Sequence, residues 1–372
     1  MTRQERVTAT AHINAVGTAV PPYSVHDAFI GFARQNIDDP RRRILFDRMA
    51  SRSDIERRFS FLEPDTLPDG RFTDRQGFYN PDDWPSTRQR MERYEAWAPS
   101  LAAQAVRALN PDIAGEGITH LVVASCTGFV APGIDQLIVQ TTGIAPSVER
   151  TVVGFMGCYA AVSALRVAHH IVRSEPAARV LVVNVELCTL HLHRTPDLER
   201  LLAMLLFGDG ASAALVTADA TGIALHDFRA ATIPGAADAI TWRIGDEGFD
   251  MHLGGQVPAL IAQALTAERE RNDADGLLRG RAPSDYDLWA VHAGGRTILD
   301  AVERAFDLSS TALEPSRRIL HDYGNMSSAT LMFVLASMMA TRAASEQGSS
   351  SDGIALAFGP GLAAESFRFS LL

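Results

Sequence analysis

Three residues in this sequence could together carry nucleophilic acyl chemistry: Cys158, His292 and Asn325. Cys158 stands in VVGFMGCYAAVSALRVAHHIV, residues 152–172. That stretch opens with a short apolar run, turns at Gly154 and Gly157, and becomes helical in pattern from Tyr159. Ala160, Ala161, Ala164, Leu165, Ala168 and Val172 give the helix a broad apolar surface, so it is expected to be buried. A cysteine at a helix N-terminus faces unpaired backbone N–H groups and the positive end of the helix dipole. Both favour thiolate, the nucleophilic form. The plainer alternative is a small buried hydrophobe, the common fate of a free cysteine. His292 follows a short apolar strand, and Asn325 sits in the turn YGNM before a long apolar helix. Taken singly, such a histidine is more often a hydrogen-bonded structural residue, and such an asparagine a helix cap. With Cys158 they suggest thiol catalysis, in which an imidazolium holds a thiolate and an amide donor stabilises developing negative charge.

A second chemical set is cationic. Arg41, Arg42, Arg43, Arg48, Arg52, Arg57 and Arg58 fall within residues 26–58, where the pattern is helical. Arginine pairs with phosphate in a fixed fork geometry, so this could be the mouth for a phosphate-bearing ligand. Asp47, Asp54 and Glu56 are interleaved, and a solvated helical face is the competing reading.

Composition sets the outer limits. At 372 residues, with 47% hydrophobic and 21% charged content, the chain fits one large soluble globular unit or two domains. Its net charge of −10 argues against a nucleic-acid binder. MTRQERVTAT has no apolar core to serve as a secretory signal, and no apolar run approaches the roughly 18 residues of a membrane span. The three cysteines, Cys126, Cys158 and Cys188, lack metal-ligand spacing and form an odd set. Free thiols in a cytoplasmic protein are the expectation.

The elements that must position these groups alternate. Strands are expected at 12–20, 119–125, 179–186, 211–217, 288–291 and 353–358, and helices at 88–109, 134–142, 296–306 and 327–341. Residues 63–85 and 348–352 read as surface loops. The β–α–β–α–β order with apolar strands suggests a mostly parallel sheet covered on both faces. Two α/β halves of similar plan emerge, 1–225 carrying Cys158 and 226–372 carrying His292 and Asn325. Each half closes on a strand beside a Gly-rich turn: FGDGASAALV in the first, ALAFGPGLAAESFRF in the second.

GFMGCYAA around Cys158, WAVHAGGRTILD around His292, YGNMSSATLMFVL around Asn325, FGDGASAALV and the terminal AFGPGL resemble type III polyketide synthases, the chalcone-synthase family of the thiolase fold. The resemblance runs from about residue 12 to the C-terminus. It implies two similar α/β halves packed as a five-layer αβαβα sandwich, and a homodimer. Cys158 becomes the acyl-carrying nucleophile, with His292 and Asn325 completing a triad. Phe207 matches a gatekeeper between the coenzyme A tunnel and the reaction cavity, and Arg48, Arg52 and Ser327 match coenzyme A-binding positions. An acyl-CoA starter and malonyl-CoA are the implied substrates, with no metal or redox cofactor. Iterative decarboxylative condensation and cyclisation would give a resorcinol, pyrone or phloroglucinol-type ring.

Several positions depart from the plant pattern. Met251 replaces a second gatekeeper phenylalanine, and Trp242 stands where a glycine lines the elongation cavity. Cys126, Cys188 and His191 replace cavity threonines. The two cysteines are read as wall packing without chemistry, and His191 as an orienting group or a hydrogen-bonded wall residue. Leu45 occupies a third, normally basic, coenzyme A position. These departures point to the bacterial branch of the family. The alternatives are a single-condensation ketoacyl-ACP synthase III, which shares the fold and triad, and a noncatalytic acyl-CoA-binding protein of this fold.

Overall fold

The computed structural model describes residues 9–109, 117–271, 273–344 and 350–372. The start of MTRQERVTAT and the first residues of the 348–352 loop lie outside them. In chain order the elements are β1 (Ala11–Ala19), α1 (His26–Asn36), α2 (Pro40–Ala50), α3 (Thr87–Arg107), β2 (His120–Ser125), α4 (Ile134–Thr142), β3 (Glu149–Gly154), α5 (Ala160–Ser174), β4 (Val180–Leu187), α6 (Leu198–Leu206) and β5 (Asp209–Thr217). Then come β6 (Ile223–Thr232), the hairpin β7 (Ile240–Gly245) and β8 (Gly248–Leu253), α7 (Val257–Glu270), β9 (Leu288–Val291), α8 (Arg296–Phe306), α9 (Glu314–Tyr323), α10 (Ala329–Ala343), β10 (Ser351–Gly359) and β11 (Ala363–Leu371).

Nine strands hydrogen-bond in the order β9-β10-β11-β6-β1-β5-β4-β2-β3. Two groups meet where β1 and β6 pair antiparallel through Ala11–Leu225, His12–Ala224 and Ile13–Ile223. Outward from β1 the chain adds β5 and β4 antiparallel, then β2 and β3 parallel. Outward from β6 it adds β11 and β10 antiparallel, then β9 parallel. The two groups share one plan, and among the described residues β3 has no counterpart.

The expectation of a mostly parallel sheet is therefore corrected to a mixed one. β10 and β11 are joined by the short 3-10 turn Pro360–Leu362, and a strand that returns through a tight turn must run antiparallel.

α5 and α10 form the central layer. Ala161, Ala164 and Ala168 of α5 and Leu331, Val334 and Leu335 of α10 share one core with Val122 and Val182 of the first group and Ala355 and Phe367 of the second. Small side chains on α5 let the helix approach the strands closely, burying apolar surface on both sides. α3 and α4 cover the outer face of the first group, and α7 and α8 that of the second, giving five layers. This is the thiolase-like arrangement.

The 63–85 segment is not simply a surface loop. It holds two short paired strands, Pro64–Thr66 and Phe72–Asp74, and it buries Asp74, Phe78 and Tyr79. The Asp74 carboxylate accepts the backbone N–H groups of Gln76, Phe78 and Tyr79, which lets this polar turn sit inside the protein.

Candidate active site

Cys158 lies at the turn before α5, at 8% exposure. The preceding Gly157 has φ +81°, and a Cβ there would stand 2.4 Å from Cδ of Pro360. Only glycine fits both demands. His292 leaves β9 with its backbone N–H on Leu356 O at 2.8 Å and its ring over Gly294. Asn325 is fixed from both sides: its N–H reaches Leu206 O at 2.8 Å, and its carbonyl accepts from Gly208 N at 3.0 Å. Its side-chain oxygen accepts Ser327 N at 2.8 Å, while its amide nitrogen donates to Gly294 O at 3.2 Å. The three residues, drawn from both strand groups, line one apolar cavity.

Protonation differs from the sequence expectation of a thiolate held by an imidazolium. Burial pushes the Cys158 thiol up to about 11, outweighing hydrogen bonds from Ser327 and Asn325 that lower it. Burial likewise drives His292 down to about 3. A low-dielectric pocket disfavours both charges, so burial favours a thiol and a neutral imidazole over an ion pair. Neither His292 ring nitrogen has a hydrogen-bond partner among the described residues. A neutral imidazole of this kind can accept the thiol proton and afterwards donate it.

Ser327 lies deep beside the thiols, 3.2 Å from Cys126 Sγ, and not with Arg48 and Arg52. Those two arginines are exposed at and just beyond the end of α2. Cys126 also approaches Glu186, a fully buried carboxyl that accepts Cys126 N at 3.0 Å, the Thr127 hydroxyl at 2.9 Å and the Ser328 hydroxyl. Burial raises Glu186 against those hydrogen bonds. Burial also holds the Cys126 and Cys188 thiols well above their ordinary range, in keeping with unreactive wall residues.

The other side of the cavity is aromatic. Trp242 and Met251 face each other across the β7–β8 hairpin. Trp242 Nε1 donates to Cys126 O at 2.8 Å. His191 stacks on Phe249 with ring centroids 4.2 Å apart and meets Trp242 edge-on. Its Nδ1 accepts Phe249 N–H at 3.0 Å, which leaves Nε2 to donate to Thr127 O at 2.8 Å. Burial lowers His191 to about 3, so it is a neutral wall residue with both nitrogens engaged.

Phe207, half-buried at the end of α6, pairs backbone to backbone with Asn325. Arg58, buried behind it, donates to Met204 O and Phe207 O and to His26 Nδ1. Its stem fills the space beside Gly208 and Gly324, where Cβ atoms would stand 3.2 and 2.7 Å from it. Arg58 thus caps the last carbonyls at the end of α6 and braces the Phe207–Asn325 junction. The sequence grouped it with the other arginines and did not single out Glu186. The visible signal for Glu186 was one acidic side chain closing the apolar run VLVVNVEL.

Family profiles agree with this geometry. Residues 1–220 match the N-terminal domain of chalcone and stilbene synthases, and residues 224–371 match the C-terminal domain. The chain belongs to the chalcone and stilbene synthase family. A bisdemethoxycurcumin synthase of Oryza sativa is 35% identical, covering 97% of this chain and 92% of the relative. The alpha-pyrone synthesis polyketide synthase-like Pks18 of Mycobacterium tuberculosis is 34% identical over 77% of this chain and 75% of its own. The crystal structure of PKS-I from the brown alga Ectocarpus siliculosus superposes with a TM-score of 0.87 at 26% identity, covering 99% of this chain and all of that one. This chalcone-synthase-family protein is a type III polyketide synthase, an acyltransferase-type condensing enzyme that uses coenzyme A thioesters without a resident cofactor. Among the described residues, no helix of the synthase is long and apolar enough to cross a membrane.

Proposed function

We propose that Cys158 carries the growing acyl chain and that His292 and Asn325 govern both its loading and the decarboxylation of malonyl-CoA. The observation that carries this reading is a thiol sharing an apolar cavity with a histidine whose two nitrogens have no hydrogen-bond partner among the described residues. As Cys158 Sγ attacks the starter thioester, its proton passes to neutral His292, which returns it to the departing coenzyme A sulfur. The acyl group then rests on Cys158.

Malonyl-CoA enters next. Its carboxylate leaves as CO2, and the bonding pair moves onto the thioester oxygen. Hydrogen bonds from His292 and Asn325 stabilise that oxyanion, each by roughly 3–4 kcal/mol as in comparable oxyanion sites. The enolate carbon attacks the Cys158 thioester, Cys158 departs as the leaving group, and the chain on coenzyme A is two carbons longer. Repetition and cyclisation give a resorcinol, pyrone or phloroglucinol-type ring. The alpha-pyrone synthesis named for the mycobacterial relative supports a pyrone among these.

Phe207, Met251 and Trp242 set cavity shape, Arg48 and Arg52 hold coenzyme A phosphates, and Ser327 tunes the thiol. The nucleophile belongs to half 1–225, and His292 and Asn325 to half 226–372. The enzyme works as a cytoplasmic homodimer of the bacterial branch. Edge strand β3, mostly exposed and unpaired on its outer side, is the contact that would join two copies.

Mass spectrometry of products from purified enzyme, labelled malonyl-CoA and acyl-CoA starters from acetyl to palmitoyl tests this. Two or more labelled units per product are expected. A single added unit would replace iterative synthesis with the ketoacyl-synthase reading, and no turnover with any starter would favour a noncatalytic acyl-CoA binder.

A further inference from the structure

We propose that the outward face of α2 docks an acidic carrier protein that presents the acyl starter as a thioester on a flexible arm. The loading step after docking rests on the condensing-enzyme function proposed for Cys158. Arg41, Arg42 and Arg48 project from this helix into solvent, and Arg52 lies just beyond its end. None of the four guanidinium groups meets a carboxylate among the described residues. The interleaved acids are committed elsewhere: Asp47 to Arg34 at 2.7 Å, Asp54 to Arg296 at 3.3 Å and Glu56 to His321 at 3.1 Å. On a chain of net charge −10, the outward line of this helix carries unpaired arginines, while its one acid, Asp47, is paired with Arg34 and Asp39 caps its start.

The same face is apolar as well. Ile44, Leu45 and Met49 are 62%, 44% and 43% exposed, and they are three of the seven large exposed apolar side chains among the described residues. Only Phe46 and Ala50 turn inward, onto Leu201 and Leu205 of α6. Coenzyme A phosphates would engage Arg48 and Arg52. They leave Arg41, Arg42 and the apolar side chains without a role.

The arrangement selects the occupant. At 3.6 residues per turn, Arg41, Leu45 and Arg48 fall on one line, with Ile44 and Met49 flanking it. Arginine and apolar groups therefore interleave, and no separate apolar stripe exists to sink into a bilayer. An interleaved Arg, Met, Leu and Ile face matches the centre of a protein interface, and its unpaired positive charge matches an acidic partner.

Location supplies the partner's task. α2 packs on α6, which ends at Phe207. The Arg52 carbonyl accepts from Arg296, at the start of the helix after His292. A carrier seated here stands beside the cavity. Its thioester carbon bonds to Cys158 Sγ, its own carbon–sulfur bond breaks, and the Cys158 proton ends on the carrier's sulfur.

The test uses the acyl chain that loads fastest from coenzyme A, offered to the whole protein either as acyl-CoA or on a bacterial acyl carrier protein, without malonyl-CoA. Acyl-Cys158 is followed by intact-protein mass. The double variant Arg41→Glu/Arg42→Glu should load from the carrier about tenfold more slowly, and from coenzyme A within about twofold of the parent. Ile44→Ser, which leaves net charge unchanged, should also slow the carrier reaction alone. Unchanged carrier loading in both variants overturns the proposal, as does equal slowing from both donors. Loss of the dimer in the double variant would assign the face to a second copy. Arginine-dependent capture on phosphatidylcholine–phosphatidylglycerol vesicles would assign it to a lipid surface. Either result overturns carrier docking. A parent enzyme that loads from coenzyme A but not from the carrier defeats docking alone, whereas loading from neither donor defeats the condensing reading.

Discussion

The two sides of the cavity differ in how far their polar groups are satisfied. On the aromatic side, the Trp242 indole N–H and both His191 nitrogens are bound to backbone groups. On the thiol side, both nitrogens of His292 have no partner among the described residues, and Cys158 keeps its proton. A buried polar group left without a partner costs stability, so a fold retains one where a ligand or reaction uses it. This contrast supports the proposed roles, in which the satisfied side sets shape and the unsatisfied side performs chemistry.

The sharpest way to break this contrast is substitution on each side. Cys158→Ala should abolish acyl-enzyme and product, whereas His191→Phe should still acylate Cys158. Equal loss in both, seen by intact mass, would erase the distinction. His292→Ala and Asn325→Ala should each slow malonyl-CoA decarboxylation by about 10²–10³-fold. Decarboxylation assays showing no change in either would remove the proposed oxyanion role.

Glu186→Leu probes what lies behind the thiols. It strands the Cys126 N–H and the Thr127 and Ser328 hydroxyls, and it should cost about 2–4 kcal/mol in urea unfolding. Glu186→Gln, which keeps an acceptor, should cost less. On the aromatic side, Trp242→Gly and Met251→Phe should change product length or starter preference while leaving acylation within a few-fold. Identical product profiles would show that these side chains do not shape the cavity.

Protonation gives the smallest effect. Alkylation of Cys158 by iodoacetamide in the empty enzyme should rise towards pH 11, not level off near 9. A thiol raised on folding favours the folded state until pH exceeds its unfolded value. That stability should therefore decline between about 9 and 11 in pH-dependent unfolding. Histidines lowered on folding act in the opposite window. His26, His191 and His292 should each weaken the fold as pH falls from 6.5 towards 3–4.

Much of this was legible in the chain because the signals were local. The apolar runs located the strands at 288–291 and 180–187 within a residue or so, and Gly157 before an alanine-rich run marked the nucleophile turn. What escaped was set by distant partners. Strand direction depends on which neighbour a strand meets, so β5 and β11 reversed a parallel expectation. The thiolate expectation weighed the helix terminus, which is local, and omitted desolvation, which only the closed cavity creates. The arginine cluster looked uniform in sequence. Folding sends Arg58 inside to brace backbone carbonyls, engages Arg43 with Ile37 O and Arg57 with Asp322, and leaves Arg41, Arg42, Arg48 and Arg52 open to solvent.

The contact between Gly157 and Pro360 bears on how the protein is made. Residues before 220 contain every strand from β1 to β5, and a nascent chain can begin to order them while the remainder is still being translated. The nucleophile's turn, however, leans on Pro360, and the Tyr159 hydroxyl reaches the Pro360 carbonyl. That frame lies about 200 residues further along the chain. A chain broken off before Pro360 would hold Cys158 without its backstop, so this turn gains its full frame only once synthesis has passed β10.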